Sequence, residues 1–269
     1  MRATKPISGE DQRAAAVSLD GARLTYPDGT VAVDGFTLDI PARGVTALLG
    51  VSGAGKSSVL RLIAGLAEPS AGRVERRVPI DPGAVSMVFQ DPTLMPWADV
   101  GDNVWFPLRL AGVSRADAAP AIAAALDRVG LSQAAHRRPA ELSGGMRMRA
   151  AIARALVTEP KLLLMDEPFA ALDEPTRNRL DDDLLAIVEE NAIAVVFVTH
   201  SVSEAAYLAS RVAIVDGPPA HVARLFEDER PVERNAAWRR SAAFAARAAA
   251  MLEALEATGA AKGFLTRAT

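Results

Sequence analysis

Short runs of apolar residues, each about the length of one β-strand, recur along the chain between polar or helix-like segments. The clearest runs are residues 45–49, 85–89, 161–165, 193–199 and 212–215. Helix-like segments lie between or after them, at residues 58–65, 174–190 and 201–209. Continuous apolar runs of this length are typical of strands buried on both faces of a sheet. The alternation therefore predicts an α/β fold with a mostly parallel sheet covered by helices.

Two regions depart from this alternation. Residues 17–40 alternate between apolar and polar positions around a Pro-Asp-Gly turn signal at 27–29, which predicts an antiparallel β region near the N-terminus. Residues 98–158 are helical in character, rich in alanine and broken at Gly112 and Gly130. Because this stretch interrupts the strand–helix alternation, we expect an inserted helical subdomain.

These patterns divide the chain into three parts. We expect a flexible polar tail at residues 1–16, a main domain at residues 17–230 that includes the subdomain, and a helical extension at residues 231–269. The apolar face of the extension is formed by Phe244, Ala248, Met251, Leu252 and Leu255. Arg239, Glu253 and Glu256 are expected to lie away from that face. The face either packs on the main domain or provides a regulatory or dimer contact.

Composition narrows the functional classes. Half of the 269 residues are hydrophobic, the formal net charge is −3 and cysteine is absent. An acidic chain lacks the basic footprint of a nucleic-acid-binding protein, so we expect no nucleic acid as a partner. The absence of cysteine excludes disulfides and thiol chemistry. Every apolar run is too short to span a bilayer, and we expect a soluble protein that reaches a membrane only through a partner.

The most informative motif is Gly-Val-Ser-Gly-Ala-Gly-Lys-Ser at residues 50–57, which lies between a predicted strand and a predicted helix. Such a loop directs successive backbone N–H groups and a helix N-terminus at an anion, and it fits the pattern of phosphate-binding loops. Lys56 is expected to reach the terminal phosphates of a nucleotide, and the Ser57 hydroxyl to bind Mg²⁺. A chance match in a glycine loop is the alternative, and the strand–loop–helix context weighs against it.

A second cluster of chemistry follows the apolar run 162–165, where the strand ends in Asp166 and Glu167. Adjacent strand residues face opposite ways, so the two carboxylates can have different tasks. We expect Asp166 to hold Mg²⁺, and Glu167 to position and deprotonate an attacking water. An exposed acidic turn is the alternative, although four apolar residues directly precede the pair.

The segment Leu142-Ser143-Gly144-Gly145-Met146 precedes another helical run. Ser143 is a good helix N-cap, and the glycines leave N–H groups uncovered, which together predict a second anion site. A simple helix start is the alternative. One nucleotide does not need two such sites, so a second copy of the protein could supply one of them.

Taken in order, these motifs resemble those of the ATPase subunit of an ABC transporter, over residues 17–226. The resemblance assigns the Walker A loop to Gly50, Ser52, Gly53, Ala54, Gly55, Lys56, Ser57 and Ser58. It assigns the signature sequence to Ser143, Gly144 and Gly145, the D-loop to Asp173, and adenine stacking to Tyr26. It implies a Walker B pair at Asp166 and Glu167, a switch histidine at His200 and a Q-loop glutamine at Gln90. Glu167, His200 and Gln90 would then be catalytic, and Ser57, Gln90 and Asp166 would bind the metal.

The chain departs from the family pattern at Met146 and Met148, where glutamine is common, and at Ser201, where aspartate is frequent. None of these positions is a phosphate, metal or water ligand, so we expect the departures to tune the activity and not to abolish it. The resemblance further implies the fold of a P-loop NTPase, with ATP and Mg²⁺ sandwiched in a head-to-tail homodimer.

Residues 88–97 and 102–104 are similar to the nitrate, sulfonate and taurine importer branch. That likeness implies separate integral-membrane permease subunits, a solute-binding protein that acts indirectly, and a peripheral position at the cytoplasmic face of the inner membrane. An exporter ATPase or a non-transport ABC ATPase is the rival. The surface around Met95, Pro96 and Trp97 is expected to dock the permease, unless Trp97 packs inside the helical subdomain.

Overall fold

The strands and helices of the chain follow the order predicted for an α/β protein. A computed structural model describes residues 15–78, 83–228 and 233–259. Its strands are β1 (Ala15–Thr25), β2 (Val31–Pro41), β3 (Gly44–Leu49), β4 (Ala71–Arg76), β5 (Val85–Val88), β6 (Leu162–Asp166), β7 (Ala194–Thr199), β8 (Arg211–Asp216) and β9 (His221–Glu227). Its helices are α1 (Lys56–Ala64), α2 (Val100–Leu110), α3 (Arg115–Arg128), α4 (Gly144–Leu156), α5 (Glu174–Asn191), α6 (Val202–Leu208), α7 (Ala236–Arg239) and α8 (Ala242–Glu256).

The strands form two sheets. The larger has the order β5-β6-β7-β3-β8-β9, in which all neighbours are parallel except β8 and β9. The smaller is the predicted antiparallel region, with the order β2-β1-β4. The sequence analysis missed β4 and β9. Both are edge strands with mostly exposed side chains, and neither has the continuous apolar run that marks a buried strand.

Alternation along the central strands builds a core on each face of the large sheet. Leu163 and Met165 of β6 face one core, whereas Leu162 and Leu164 face the other. The same division holds in β7, where Phe197 joins the first core and Val196 the second. The first core includes the helical subdomain and α5, and the second includes α1 and the small sheet. Both faces of the sheet are therefore covered, as the apolar runs predict.

The inserted subdomain contains α2, α3 and α4, with two short 3-10 turns between α3 and α4. Each helix begins at a capping side chain: Asp99 accepts from the N–H of Asp102, Ser114 from Asp117, and Ser143 from Met146. A helical insertion between β5 and β6 is therefore confirmed.

At the ends of the chain the description is partial. Residues 1–14 of the predicted tail and residues 260–269 of the predicted extension lie outside the described ranges. Strand β1 begins at Ala15, inside the segment predicted as tail.

The described part of the extension packs on the main domain. It forms two helices, because α7 ends at Arg239 and α8 begins after its N-cap residue, Ser241. Met251 and Leu255 are buried, as predicted, but Leu252 is 46% exposed, so its assignment to the packed face was wrong. Leu252 lies about 100° around the helix from Met251, at the edge of the stripe. The expectation that Arg239 points away was also wrong, because its guanidinium reaches α5 and lies 3.5 Å from the centre of the Tyr207 ring.

A buried carboxylate lies beneath this contact. Asp181 of α5 is 2% exposed and ion-paired to Arg239 at 3.4 Å. Burial raises the pKa of Asp181 from 3.8 to about 8; the nearby carboxylate of Glu204 adds to the rise and Arg239 opposes it. A group with a raised pKa stabilises the fold below its unfolded pKa and loses that contribution as pH rises through its folded pKa.

We therefore expect stability to depend on pH through Asp181. Between about pH 4 and pH 8 the folded chain keeps a proton that the unfolded chain has lost, so the free energy of unfolding falls as pH rises. Asp181→Asn cannot titrate and should remove much of that slope in urea denaturation measured across the same range. Asp20→Asn, at an exposed position, is the control. An Asp181→Asn variant with the parental slope would contradict this assignment.

Candidate nucleotide-binding site

The candidate site forms where neighbouring parallel strands end together. Leu49 at the end of β3 pairs with Thr199 at the end of β7, and Asp166 at the end of β6 pairs with Val198. The segments that follow these strands therefore leave the sheet side by side, at its carboxyl edge. This edge is where open α/β sheets bind ligands.

Three glycines of the loop 50–55 have different tasks. A Cβ at Gly50 would lie 2.5 Å from the carbonyl oxygen of Val215, and a Cβ at Gly55 would lie 2.8 Å from that of Ala32. These two glycines let the loop pack against the neighbouring backbone. Gly53 has a φ of 84° and open space around it, so it shapes a turn whose outer side is free.

The loop leaves a set of backbone donors without partners. Within the described residues, six N–H groups of the loop and the start of α1 donate no hydrogen bond: those of Val51, Ser52, Gly53, Gly55, Lys56 and Ser57. Clustered free N–H groups at a helix N-terminus favour an anion, since each gains an acceptor and the helix dipole adds positive charge.

Lys56 adds a full positive charge at the same place. Its side chain is 4% exposed, and Nζ donates to the carbonyl oxygens of Gly50 and Val51, at 2.9 Å each. Nζ also lies 3.3 Å from Oε1 of Glu167. Burial lowers the pKa of Lys56, and the Glu167 carboxylate opposes that shift. The glutamate thus neutralises the ammonium.

The next residue in the helix faces the other carboxylate. Oγ of Ser57 donates to Oδ1 of Asp166 at 3.2 Å. Burial raises the pKa of Asp166, while the Ser57 hydrogen bond opposes the rise. A hydroxyl and a carboxylate in contact are the hard oxygen donors that Mg²⁺ prefers, and two such donors suit an ion that also binds phosphates and water.

Glu167 lies at the centre of the site in an uncommon backbone conformation. Its φ is 47°, in the left-handed region that non-glycine residues rarely adopt. Its N–H donates to the Val198 carbonyl at 3.0 Å, which ties this turn to β7. Oε2 lies 3.0 Å from Nδ1 of His200, the first residue after that strand. Backbone strain of this kind is found disproportionately at functional sites.

Tyr26 lies beside α1. Its hydroxyl is 3.0 Å from Oγ of Ser58 and accepts a hydrogen bond from Arg61 at 3.3 Å. The sequence analysis did not single out Arg61. The signal was available, because residues 58 and 61 share one face of a helix.

Gln90 follows β5 and is exposed. Val88 pairs with Met165, so Gln90 and Glu167 leave adjacent strands at the same edge. The backbone of the loop that Gln90 begins is held by α4, because Arg154 of that helix donates to the carbonyls of Pro92 and Thr93 at 2.8 Å each.

Asn103 holds the far end of that loop. It is fully buried, accepts from the N–H of Met95 at 2.7 Å and donates to the carbonyls of Met95, Ala98 and Asp99. Neither Asn103 nor Arg154 was predicted as a functional residue, because each acts on a loop that is distant from it in the sequence. Asn103 bonds Met95, 8 residues away, and Arg154 bonds Thr93, 61 residues away.

The second predicted anion site lies at the start of α4. Ser143 is exposed, and its Oγ accepts from the N–H of Met146 at 3.3 Å. A Cβ at Gly145 would lie 2.8 Å from Cγ2 of Thr176, so this glycine also lets α4 approach the start of α5. Asp173 caps α5 there, and its hydrogen bonds with Thr176 lower its pKa. Within the described residues, no hydrogen bond or ion pair joins Ser143 to Lys56.

The departures from the family pattern have structural tasks here. Ser201 caps α6 by accepting from the N–H of Glu204 at 3.3 Å, which a side-chain oxygen at this position is suited to do. Met148 is 2% exposed and belongs to the core, whereas Met146 is half-buried against it.

Trp97 does not pack inside the subdomain, and that alternative was wrong. Its side chain is 74% exposed. It borders a shallow cavity of about 180 Å³ whose lining includes Met95, Asp102, Trp105 and Arg109. Large exposed apolar side chains around a cavity are typical of a protein contact surface.

Comparison with known proteins identifies the family. Residues 33–170 match the family model described as "ABC transporter". The chain belongs to the ABC transporter family, as an ATP-binding and ATP-hydrolysing subunit. Within the described residues, no helix is both long and apolar enough to cross a bilayer.

Several named relatives are import proteins. The chain is 42% identical to a taurine import ATP-binding protein of Sinorhizobium fredii, over 77% of this chain and 81% of the relative. It is 47% identical to an aliphatic sulfonates import ATP-binding protein of Streptomyces avermitilis, over 75% and 77%. A nitrate import ATP-binding protein of Synechocystis is 42% identical over 78% of this chain and 32% of its own length.

A solved structure confirms the fold class. The dimeric structure of a post-hydrolysis state of an ATP-binding cassette, bound to ADP and Pi, is 29% identical with a TM-score of 0.69. The match covers 80% of this chain and all of that one. The predicted α/β core with an antiparallel β region and a helical subdomain is therefore that of an ABC ATPase.

Proposed function

We propose that this chain powers an ABC importer by binding ATP at residues 50–58 and hydrolysing it at Glu167. The observation that carries the proposal is the cluster of unpartnered N–H groups at the start of α1, with the buried ammonium of Lys56 beside it. Together they supply the donors and the charge that a triphosphate requires. Tyr26, held next to Ser58, is suited to stack on the adenine ring.

Ser57, Asp166 and Gln90 would hold Mg²⁺, which when bound neutralises charge on the phosphates. The contact between Ser57 and Asp166 supports this assignment, since one cation can replace the hydroxyl proton as the carboxylate's partner. Gln90 leaves the sheet at the same edge and is exposed, so it can turn toward the nucleotide.

Glu167 would act as the general base for the attacking water. In the free protein its two oxygens face Lys56 and His200. When phosphate takes Lys56 as its partner, Oε1 of Glu167 is released to accept a proton from water. The hydrogen bond between His200 and Oε2 would remain and so orient the carboxylate.

A homodimer would complete each site. Ser143, Gly144 and Gly145 present uncovered N–H groups at the start of α4, close to Asp173 at the start of α5. The lack of any bond between this surface and Lys56 within the described part of one chain supports a contribution to the partner's nucleotide. Two copies arranged head to tail would form two equivalent shared sites.

The transported solute would be a small molecule or ion such as a sulfonate, taurine or nitrate. The names of the relatives support this class. The chain would then work at the cytoplasmic face of the inner membrane, attached to integral-membrane permease subunits that receive solute from a solute-binding protein. The exposed Trp97 and the adjoining cavity would form part of the permease contact, which Arg154 and Asn103 link to the loop after Gln90.

Glu167→Gln tests the assigned base. The amide keeps the shape of the side chain but accepts a proton poorly, so ATP turnover should fall by about 10²–10⁴-fold while ATP still binds. With Mg²⁺-ATP the variant should elute as a dimer in size-exclusion chromatography. Turnover close to that of the parent would remove Glu167 from this role.

Ser143→Arg in the Glu167→Gln background is the matched control for the shared site. A bulky cation at the start of α4 should abolish the ATP-dependent dimer and leave the affinity of the monomer for ATP unchanged. A dimer that persists in the double variant would mean that Ser143 does not face the partner's nucleotide.

Trp97→Ala tests the permease contact. Because the side chain is exposed, its removal should change the free energy of unfolding by no more than about 0.5 kcal/mol. Basal ATPase activity should also persist, whereas solute uptake by the assembled transporter should be lost. Leu66→Ala, at a position 69% exposed beyond the end of α1, is the control and should transport normally. Full uptake by a folded Trp97→Ala variant would contradict the docking surface.

A further inference from the structure

A buried cluster of charges lies behind the candidate site, and none of its members touches the nucleotide loop. It contains two carboxylates, Asp181 of α5 and Glu204 of α6, which are 2% and 4% exposed. Arg177 of α5 lies 3.4 Å from Glu204, and Arg239 of α7 lies 3.4 Å from Asp181. Among the described residues, each of the two buried carboxylates thus has one arginine within 4 Å.

One carboxylate of the cluster fixes the backbone around His200. Glu204 accepts a short hydrogen bond from the hydroxyl of Thr199, the residue before His200. The same hydroxyl oxygen accepts from the N–H of Ser201, the residue after it, at 2.9 Å. Glu204 also donates its own N–H to Oγ of Ser201. The position of His200, and of the Glu167 carboxylate bonded to it, therefore depends on Glu204.

The other carboxylate, Asp181, contacts an arginine of the C-terminal extension. Among the described residues, Arg239 is the one cation within 4 Å of Asp181. Arg239 also donates to Oδ1 of Asp182 at 3.0 Å and bonds Asn178, both on α5. Its guanidinium covers the ring of Tyr207 on α6 at 3.5 Å. A single side chain of the extension thus connects α5 with α6.

Arg239 is not needed merely to hold the extension in place. Arg234 and Arg247, on either side of it in the sequence, both form ion pairs with Asp228. They also donate to the carbonyl of Ala209, at 2.9 and 2.7 Å. Met251 of α8 adds a fully buried apolar anchor. The extension has independent attachments, so the contacts of Arg239 call for another explanation.

We propose that Arg239 is a positioning residue for ATP hydrolysis, through which the C-terminal extension keeps His200 and Glu167 in their working arrangement. Arg239 ties α5 to α6, because it contacts Asp181 and Asp182 on the first helix and covers Tyr207 on the second. Without Arg239 this connection is lost, and α6 holds its Glu204 less firmly against Thr199. The inference rests on the proposed roles of Glu167 and His200.

The test compares Arg239→Met with the parent in the full chain. We expect kcat for Mg²⁺-ATP to fall by about 10- to 100-fold, the loss that misplaced catalytic groups commonly cause, with little change in KM. Arg240→Met, the same substitution at the exposed neighbouring position, should retain parental kcat. Arg239→Lys keeps the charge, but its single ammonium group cannot contact Asp181 and Asp182 together, so we expect an intermediate kcat. This variant takes the place of Arg239→Met in the test if the methionine variant fails to fold.

Hydrogen exchange supplies a readout that does not depend on activity. Positioning predicts faster amide exchange at residues 199–208 in Arg239→Met, whereas a simple anchor predicts faster exchange in α7 and α8 alone. Parental kcat and parental exchange at residues 199–208 in folded Arg239→Met would overturn the proposal. If the proposed function itself were wrong, Glu167→Gln would instead turn over ATP as fast as the parent.

Discussion

The in-register parallel pairing of β3, β7 and β6 is the constraint on which the site depends. Because the strands end together, the phosphate loop, His200 and Glu167 leave the sheet at adjacent points. Residues separated by more than 100 positions in the chain are thereby brought within hydrogen-bond distance, as Ser57 and Asp166 are. A shift of one residue in the β6–β7 pairing would turn Leu163 and Met165 into the wrong core, so hydrophobic packing protects the catalytic geometry.

Within that frame, charged and polar side chains of the site pair with one another. Lys56 pairs with Glu167, and Ser57 with Asp166. We propose that ATP and Mg²⁺ replace these contacts, which would couple their binding to the release of Glu167. Behind Glu167, His200 lies between Thr199 and Ser201, and both of these residues are hydrogen-bonded to Glu204. The position of the Glu167 carboxylate is therefore linked to side chains well outside the nucleotide loop.

The sequence predicted the elements whose signals are local. Apolar runs gave the central strands, and the glycine pattern of residues 50–57 gave the loop and the helix that follows. Strands β4 and β9 were not predicted, because charged edge strands lack such an apolar run. Asn103, Arg154 and Arg239 escaped for another reason: each acts on a backbone or carboxylate that only the tertiary fold brings near. The exposure of Trp97 could not be predicted for the same reason, since the sequence pattern alone does not show what covers a side chain.

We expect this edge of the sheet to bind ATP through Lys56. Titration calorimetry of Mg²⁺-ATP with Lys56→Ala tests it most directly, with Lys161→Ala, at an exposed position next to β6, as the control. Removing the point charge should weaken ATP binding at least about tenfold, equivalent to ~1.4 kcal/mol, and the control should bind like the parent. Equal affinities of folded Lys56→Ala and the parent would contradict the claim.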